Sequence, residues 1–277
     1  MALGWLESLL FGLISGITEL LPVSSEAHQA LLHQFFGTES SSVLSLFVHL
    51  GTLAALWLCS RKHITKMRRE RKLASVPRRR RKREPDLRYI LDWRLVQTAT
   101  VPAVVSLLLY RSAFSLTEKL YWVAIICLLN GAVLFMPTLL PYGNKDSRSM
   151  SALDGWIIGL SGALGILPGI SRIGMLTSSA VGRGADRHNA LNWAMLLLLP
   201  VFTALLLVDG FGILSAGLGS LTLPIILKCV LAGLASFGGS CCGISILRFL
   251  SVNAGFSAFS YYSWGLGLFT FILYLTT

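Results

Sequence analysis

Charge is what this chain has least of. Asp, Glu, Lys and Arg make up 13% of its 277 residues, against 54% hydrophobic, and the mean hydropathy is +0.67. Soluble domains carry roughly a quarter charged residues. Composition therefore excludes an ordinary soluble domain and points to a polytopic membrane protein built as one membrane domain. Acids are the scarcest class, thirteen against twenty-four basic residues, and fourteen of the basic ones fall between Arg61 and Asp92 beside only four acids. Alone, such a run suits nucleic acid or anionic lipid. Apolar spans on both sides make residues 61–92 a basic cytoplasmic loop touching anionic headgroups, with no nucleic-acid partner expected.

Cysteine supplies no framework either. Cys59, Cys127, Cys229, Cys241 and Cys242 all lie in apolar runs, and the adjacent pair cannot both serve as ligands of an ordinary zinc finger. They read as small core residues. A basic region ahead of the first apolar run is also missing, so the N-terminal segment reads as retained rather than cleaved.

What the chain does have is polar chemistry in apolar surroundings. Glu19-Leu20-Leu21-Pro22-Val23-Ser24-Ser25-Glu26-Ala27-His28 sets carboxylates, hydroxyls and an imidazole inside the first apolar segment, where each must face protein or a water-filled cavity. A helix that enters, breaks at Pro22–Ser25 and returns over Glu26–Phe36 satisfies this better than a straight span. Leu167-Pro168-Gly169-Ile170-Ser171-Arg172 repeats the design, with Trp156–Leu167 too short to cross and Met175–Val181 returning. Full spans are expected at Val43–Cys59, Leu95–Tyr110, Leu120–Pro141, Ala190–Val208, Leu223–Leu247 and Ala254–Leu275.

The expected fold is thus all-α, an inverted repeat with one re-entrant helix pair and three transmembrane helices per half, 1–140 and 150–277. Because three is odd, the halves start on opposite sides of the membrane, and interrupted segments at matching positions mark the binding site. With the basic loop inside, the first break enters from outside and the second from the cytoplasm. Eight ordinary spans with polar faces packed together are the plainer alternative.

Free N–H groups at the start of each returning helix favour an anion. Ser24, Ser25 and Ser171 add hydroxyls, and the planar fork of Arg172 suits phosphate oxygens. Glu19 beside His28 can polarise the imidazole or hold a divalent cation, which makes phosphoryl transfer possible. Glu26, one turn past the break, is also compatible with simply facing water. His49 is either a packed polar residue or a partner of the site.

Residues Ser15 to His28 resemble the first signature of the bacterial undecaprenyl pyrophosphate phosphatases of the bacitracin-resistance type. Leu167 to Gly174 resembles their second, of the form P-G-x-S-R-S-G-x-T, and Phe47–Leu53 and Arg187–Pro200 are similar to further family segments. The resemblance implies a multi-pass enzyme of the bacterial cytoplasmic membrane, opening to the outer face. Its activity would be to hydrolyse a polyprenyl pyrophosphate to the monophosphate and so recycle the lipid carrier of cell-wall synthesis. It implies Glu19, His28, Ser25 and Arg172 as catalytic residues and Ser24, Ser171, Gly169, Thr177 and His49 as substrate-binding. Glu19 would be the ligand of Mg2+ or Ca2+, and a homodimer is compatible with it. The chain departs from the pattern at Ser15, where the family has an acid, at Ile173 and Leu176, where it has hydroxyls, at Gly162, where it has glutamine, and at Ser263, where it often has arginine. Those losses keep a second function open, a non-hydrolytic transporter or flippase of a polyprenyl phosphate on the same fold.

Overall fold

The computed structural model describes residues 4–217, 221–253 and 256–276. The described residues fold into helices joined by short turns, with no strand among them beyond one isolated bridge between Lys145 and Ala185. In chain order the helices are α1 (Trp5–Glu19), α2 (Ser25–Phe36), α3 (Ser42–Ser75), α4 (Leu87–Val105), α5 (Tyr110–Phe114), α6 (Leu120–Leu139), α7 (Ala152–Ala163), α8 (Arg172–Gly182), α9 (Arg187–Ala216), α10 (Leu223–Asn253) and α11 (Ser257–Thr276).

Five of these, α3, α6, α9, α10 and α11, are long and apolar enough to cross a membrane, so the protein is a polytopic membrane protein. The span expected at Leu95–Tyr110 is not among them. Its helix begins earlier, at Leu87 with Asp86 capping Arg88 N–H (3.0 Å), and ends at Val105. Pro102 lies inside it, and a tight turn over Ser106–Leu109 follows. The basic stretch also departs from the loop expected at 61–92. Helix α3 continues through Arg61 to Ser75, and only residues 76–86, with one short turn at Arg78–Arg80, separate it from α4. Lys and Arg are good helix formers, and a 34-residue helix is about 51 Å long against a hydrocarbon core of about 30 Å, so its basic half projects beyond the apolar half. Helices α9 and α10 likewise outrun Ala190–Val208 and Leu223–Leu247, and residues 254–255 of the last expected span lie outside the described residues.

At the basic end, Glu70 closes the 76–86 connection. Its carboxylate accepts both guanidinium arms of Arg83, one at 2.8 Å, and the backbone N–H of Asp86 at 3.0 Å. The hydrogen bonds from Arg83 hold the Glu70 carboxyl far below its ordinary range, down to about 2. Nearby, buried Asp92 accepts from Trp193 Nε1 (2.7 Å) and His63 Nε2 (3.2 Å), tying α4 to α9 and α3.

Helix α9 is the most enclosed span, 56% buried against 28% for α11, and the main hydrophobic cluster gathers around it from Leu20 and Leu21 through Ile173 and Leu176 to Trp193 and Phe202. Around this axis α1 packs on α10, α7 on α4, α3 on α9 and α6 on α11. Two of these contacts are backbone to backbone. A Cβ at Gly16 would lie 2.2 Å from the carbonyl oxygen of Ser236 on α10, and one at Gly159 would lie 2.2 Å from that of Ala99 on α4. Small residues let helices in lipid approach this closely. Hydroxyls add to the α1–α3–α10 seam: Ser240 donates to Gly16 O (3.0 Å) and Ser236 to Val48 O (2.9 Å).

Candidate active site

The two breaks occur where the sequence places proline. Helix α1 stops at Glu19, three residues before Pro22, and α2 starts after Ser24, whose side chain accepts from Ala27 N–H at 3.4 Å. Helix α8 starts after Ser171, whose Oγ accepts from Gly174 N–H at 3.2 Å. Ser25 and Arg172 are therefore the first residues of two helices whose N-termini carry free N–H groups, the ends that favour anions.

The breaks touch each other. Ser24 Oγ accepts from Gly169 N–H at 3.0 Å, and Ser171 Oγ donates to Leu21 O at 3.1 Å, across some 150 positions of chain. Asn130 of α6 binds both: its Oδ1 accepts from Ser171 N–H (3.0 Å), and its Nδ2 faces Pro22 O (3.4 Å) and Ser263 Oγ (2.9 Å). The turn carries strain. Ser24 has φ 61°, a left-handed conformation unusual for a residue with a side chain. Gly169 has φ 110°, and a Cβ there would lie 2.9 Å from Cys127 N and from Ile126.

Arg172 projects into the space beside this junction and is nearly fully buried. Its guanidinium pairs with Glu19 Oε2 at 3.3 Å and with Glu26 Oε1, between the rings of Tyr110 and Phe202 about 6 Å away. Glu19 Oε1 lies 3.8 Å from His49 Nε2, and His49 Nδ1 pairs with Asp209 Oδ2 at 2.7 Å. Three carboxylates thus surround one guanidinium and one imidazole. Two polar atoms are left without a hydrogen bond, Glu19 Oε1 and Arg172 Nε. A buried charged group with an unused bonding direction is costly and leaves room for a further partner, such as water, an ion or a ligand.

Most of the expected residues come together here: Glu19, Ser24, Ser25, His49, Gly169, Ser171 and Arg172. Two do not. His28 was expected beside Glu19, but α2 turns it the other way. Its Nδ1 bonds Ser24 O and its Nε2 bonds Tyr262 Oη, each at 2.7 Å, and its ring stacks on Tyr262. The imidazole at the carboxylate is His49. Thr177 folds its hydroxyl back onto Ile173 O at 2.7 Å, satisfied within its own helix. Glu26 is also corrected: it is buried and ion-paired, with Ser25 Oγ donating to its second oxygen at 3.4 Å, and does not face water.

Sequence reasoning missed Asn130, Asp209 and Tyr110. Asn130 had a signal, since it is a polar residue in the middle of the span expected at Leu120–Pro141 and buried groups of that kind are functional by default. Asp209 falls just past the span expected at Ala190–Val208 and enters one only because α9 runs on to Ala216. The departures from the family pattern are packed rather than vacant. Ile173 and Leu176 join the main hydrophobic cluster, and Leu176 occupies the space a side chain at Gly162 would need, 2.5 Å from its Cβ position. Ser15, one turn before Glu19, is buried with an unpartnered hydroxyl.

A cavity of about 130 Å3 lined by Ser40, Ser41, Ser42, Ser45, Tyr110, Val208 and Asp209 lies at the end of α3 opposite the basic stretch and reaches the far side of the Asp209–His49 pair.

The family model described as bacitracin resistance protein BacA matches residues 8–269, which includes both breaks and every residue of the cluster. The chain belongs to the BacA family. Among the relatives of this BacA-family protein, an undecaprenyl-diphosphatase of Carboxydothermus hydrogenoformans is 30% identical over 275 residues, 96% of each chain. One of Thermosipho africanus is 31% identical over 258 residues, 93% of this chain and 95% of the relative. Undecaprenyl-diphosphatase 3 of Bacillus cereus is 28% identical over 279 residues, 99% of each.

Proposed function

We propose that this protein is an integral-membrane phosphatase that hydrolyses undecaprenyl pyrophosphate, or a closely similar polyprenyl pyrophosphate, to the monophosphate. The observation that carries the reading is Arg172, the first residue of α8, buried where both breaks meet and held by carboxylates from α1 and α2. Membership of the BacA family and relatives named as diphosphatases favour hydrolysis over transport.

In this reading the substrate's terminal phosphate takes the place of the carboxylates on Arg172 and sits against the N-termini of α2 and α8. Ser25 Oγ is the nucleophile, since it is the hydroxyl that already bonds a carboxylate of the cluster. It attacks the terminal phosphorus as Glu26 takes its proton, the bridging P–O bond breaks, and the lipid monophosphate leaves. Water entering from the serine-lined cavity then cleaves the phosphoserine and releases inorganic phosphate. Arg172 stabilises charge on the equatorial oxygens in both steps. Asp209 orients His49 against Glu19. His28, bound to Tyr262, supports the α2–α11 contact at the rim.

Mg2+ or Ca2+ is the proposed cofactor, and the donor set is compatible with it. Carboxylates outnumber guanidinium, and Glu19 Oε1 is a buried anionic oxygen that accepts no hydrogen bond. No group of three or more His, Cys, Asp or Glu that could hold a metal is assembled among the described residues, so water and substrate phosphate would have to supply the cation's other ligands. When bound, it would neutralise pyrophosphate charge, with Glu19 as its protein ligand and Glu26 close by.

The two halves are proposed as inverted repeats, because α1 on α10 has its counterpart in α7 on α4, down to the Gly16 and Gly159 contacts. With the basic end inside, the cavity by Asp209 opens outward, in keeping with a cytoplasmic-membrane enzyme working at the outer face.

Phosphate release by purified protein given a polyprenyl pyrophosphate and Mg2+ tests the proposal. Wild type should turn over. Arg172→Ala and Ser25→Ala should lose on the order of a thousandfold in rate, while His28→Ala should lose no more than about tenfold. No release from wild type with either Mg2+ or Ca2+ would overturn hydrolysis, and full dependence on His28 with none on Ser25 would overturn the assigned nucleophile.

A further inference from the structure

One groove of the molecule is lined by none of the residues of the polar cluster. It has a volume of about 770 Å3 and runs along α3 between α9 and α10, lined by Leu50, Leu53, Ala54, Trp57 and Leu58 and then by Arg61 and Arg68. Leu199, Pro200 and Phe237 form its other wall.

Two features specify its occupant. The first is length. From Leu50 to Arg61 the α3 axis rises about 16 Å, close to the hydrocarbon depth of one leaflet, about half of a ~30 Å core. The groove is therefore apolar for one leaflet and basic where the phosphates of that leaflet lie. The second is charge. Arg61 and Arg68 are exposed on one face of α3, and neither guanidinium makes a hydrogen bond or ion pair with the described residues. Other arginines of the same stretch are engaged, such as Arg83 with Glu70, Arg81 with Glu84 and Arg71 over Trp93.

We propose that this groove is a binding site for one anionic phospholipid, its acyl chains against Leu53, Trp57 and Phe237 and its phosphate held by Arg61 and Arg68. The hydrocarbon fills a furrow that other helices leave open, and the free guanidinia supply planar, charge-assisted contacts to phosphate oxygens. The site does not rest on the hydrolytic reading. That reading's orientation decides only which leaflet supplies the lipid.

The test is native mass spectrometry of the full chain purified from membranes and exchanged into detergent with equal amounts of phosphatidylglycerol and phosphatidylcholine. Wild type should retain one phosphatidylglycerol in preference. Arg61→Ala/Arg68→Ala should lower that preference about tenfold or more. Arg79→Ala/Arg80→Ala removes the same charge from the same stretch away from the groove and should leave it unchanged. Ala54→Trp, which fills the apolar part and keeps both arginines, should also release the lipid. Equal retention of the two lipids by wild type, equal loss in the two double variants, or a lipid kept by Ala54→Trp would each overturn the site.

Discussion

Asn130, outside both signatures, ties the two breaks together. Its amide is fully buried and satisfies a donor of one break and an acceptor of the other. Asn130→Leu leaves Ser171 N–H and Pro22 O buried without partners, at about 1–3 kcal/mol each. Thermal unfolding in detergent should show a clearly lower midpoint, and phosphatase activity should fall in parallel. Asp209 has a different task. It is held to His49 at 2.7 Å and touches neither break, so Asp209→Asn should lower kcat about tenfold with little change in KM, because His49 loses its orientation while the anion site stays intact. An equal effect on KM alone would place Asp209 in substrate binding.

At the scale of elements, the sequence made the breaks legible and the basic stretch illegible, for one reason. Pro22 and Pro168 act locally: each removes an N–H and forces its neighbour out of the helix, so the kinks fall where the residues say. The run Arg61–Ser75 is set by a longer-range effect. Its charge says only that it leaves the membrane, and what keeps it helical is its continuity with the apolar half of α3 and the closure of 76–86 by Glu70. His28 was misplaced for a related reason. Proximity in sequence to Glu19 does not survive a break that reverses the chain, whereas His49, thirty positions on, arrives beside Glu19 because α3 packs behind α1.

Glu70 makes this element testable. Its carboxyl is lower in the folded protein than in the unfolded chain, so its stabilisation is fully present above pH about 4.5 and is lost as pH falls toward about 2. At neutral pH the 76–86 segment should resist trypsin, and Glu70→Gln should speed cleavage there without altering the spans. In wild type, hydrogen-exchange protection of the same segment, taken relative to the intrinsic rate at each pH, should hold down to pH about 5 and fall as pH drops below about 4. Gly16→Leu belongs to this scale too. It would force α1 from α10 and with it Glu19 from Arg172, so activity should vanish while the protein still inserts.

For the whole molecule, the ends of the bundle differ in charge and access. Serines and a small cavity mark one end, and the fourteen basic residues of 61–92 mark the other. A membrane-impermeant maleimide applied to intact cells with the outer envelope removed should label Ser41→Cys, and should label Arg79→Cys only after the membrane is opened. The reverse pattern would invert the proposed orientation.

The guanidinium at 172 is already occupied in the resting protein, by carboxylates from two separate helices. Any incoming head must outcompete these built-in rivals. A pyrophosphate, with more negative charge than a monophosphate, would be better equipped to do so. The monophosphate lipid that accumulates around the enzyme would then compete poorly for the site that made it.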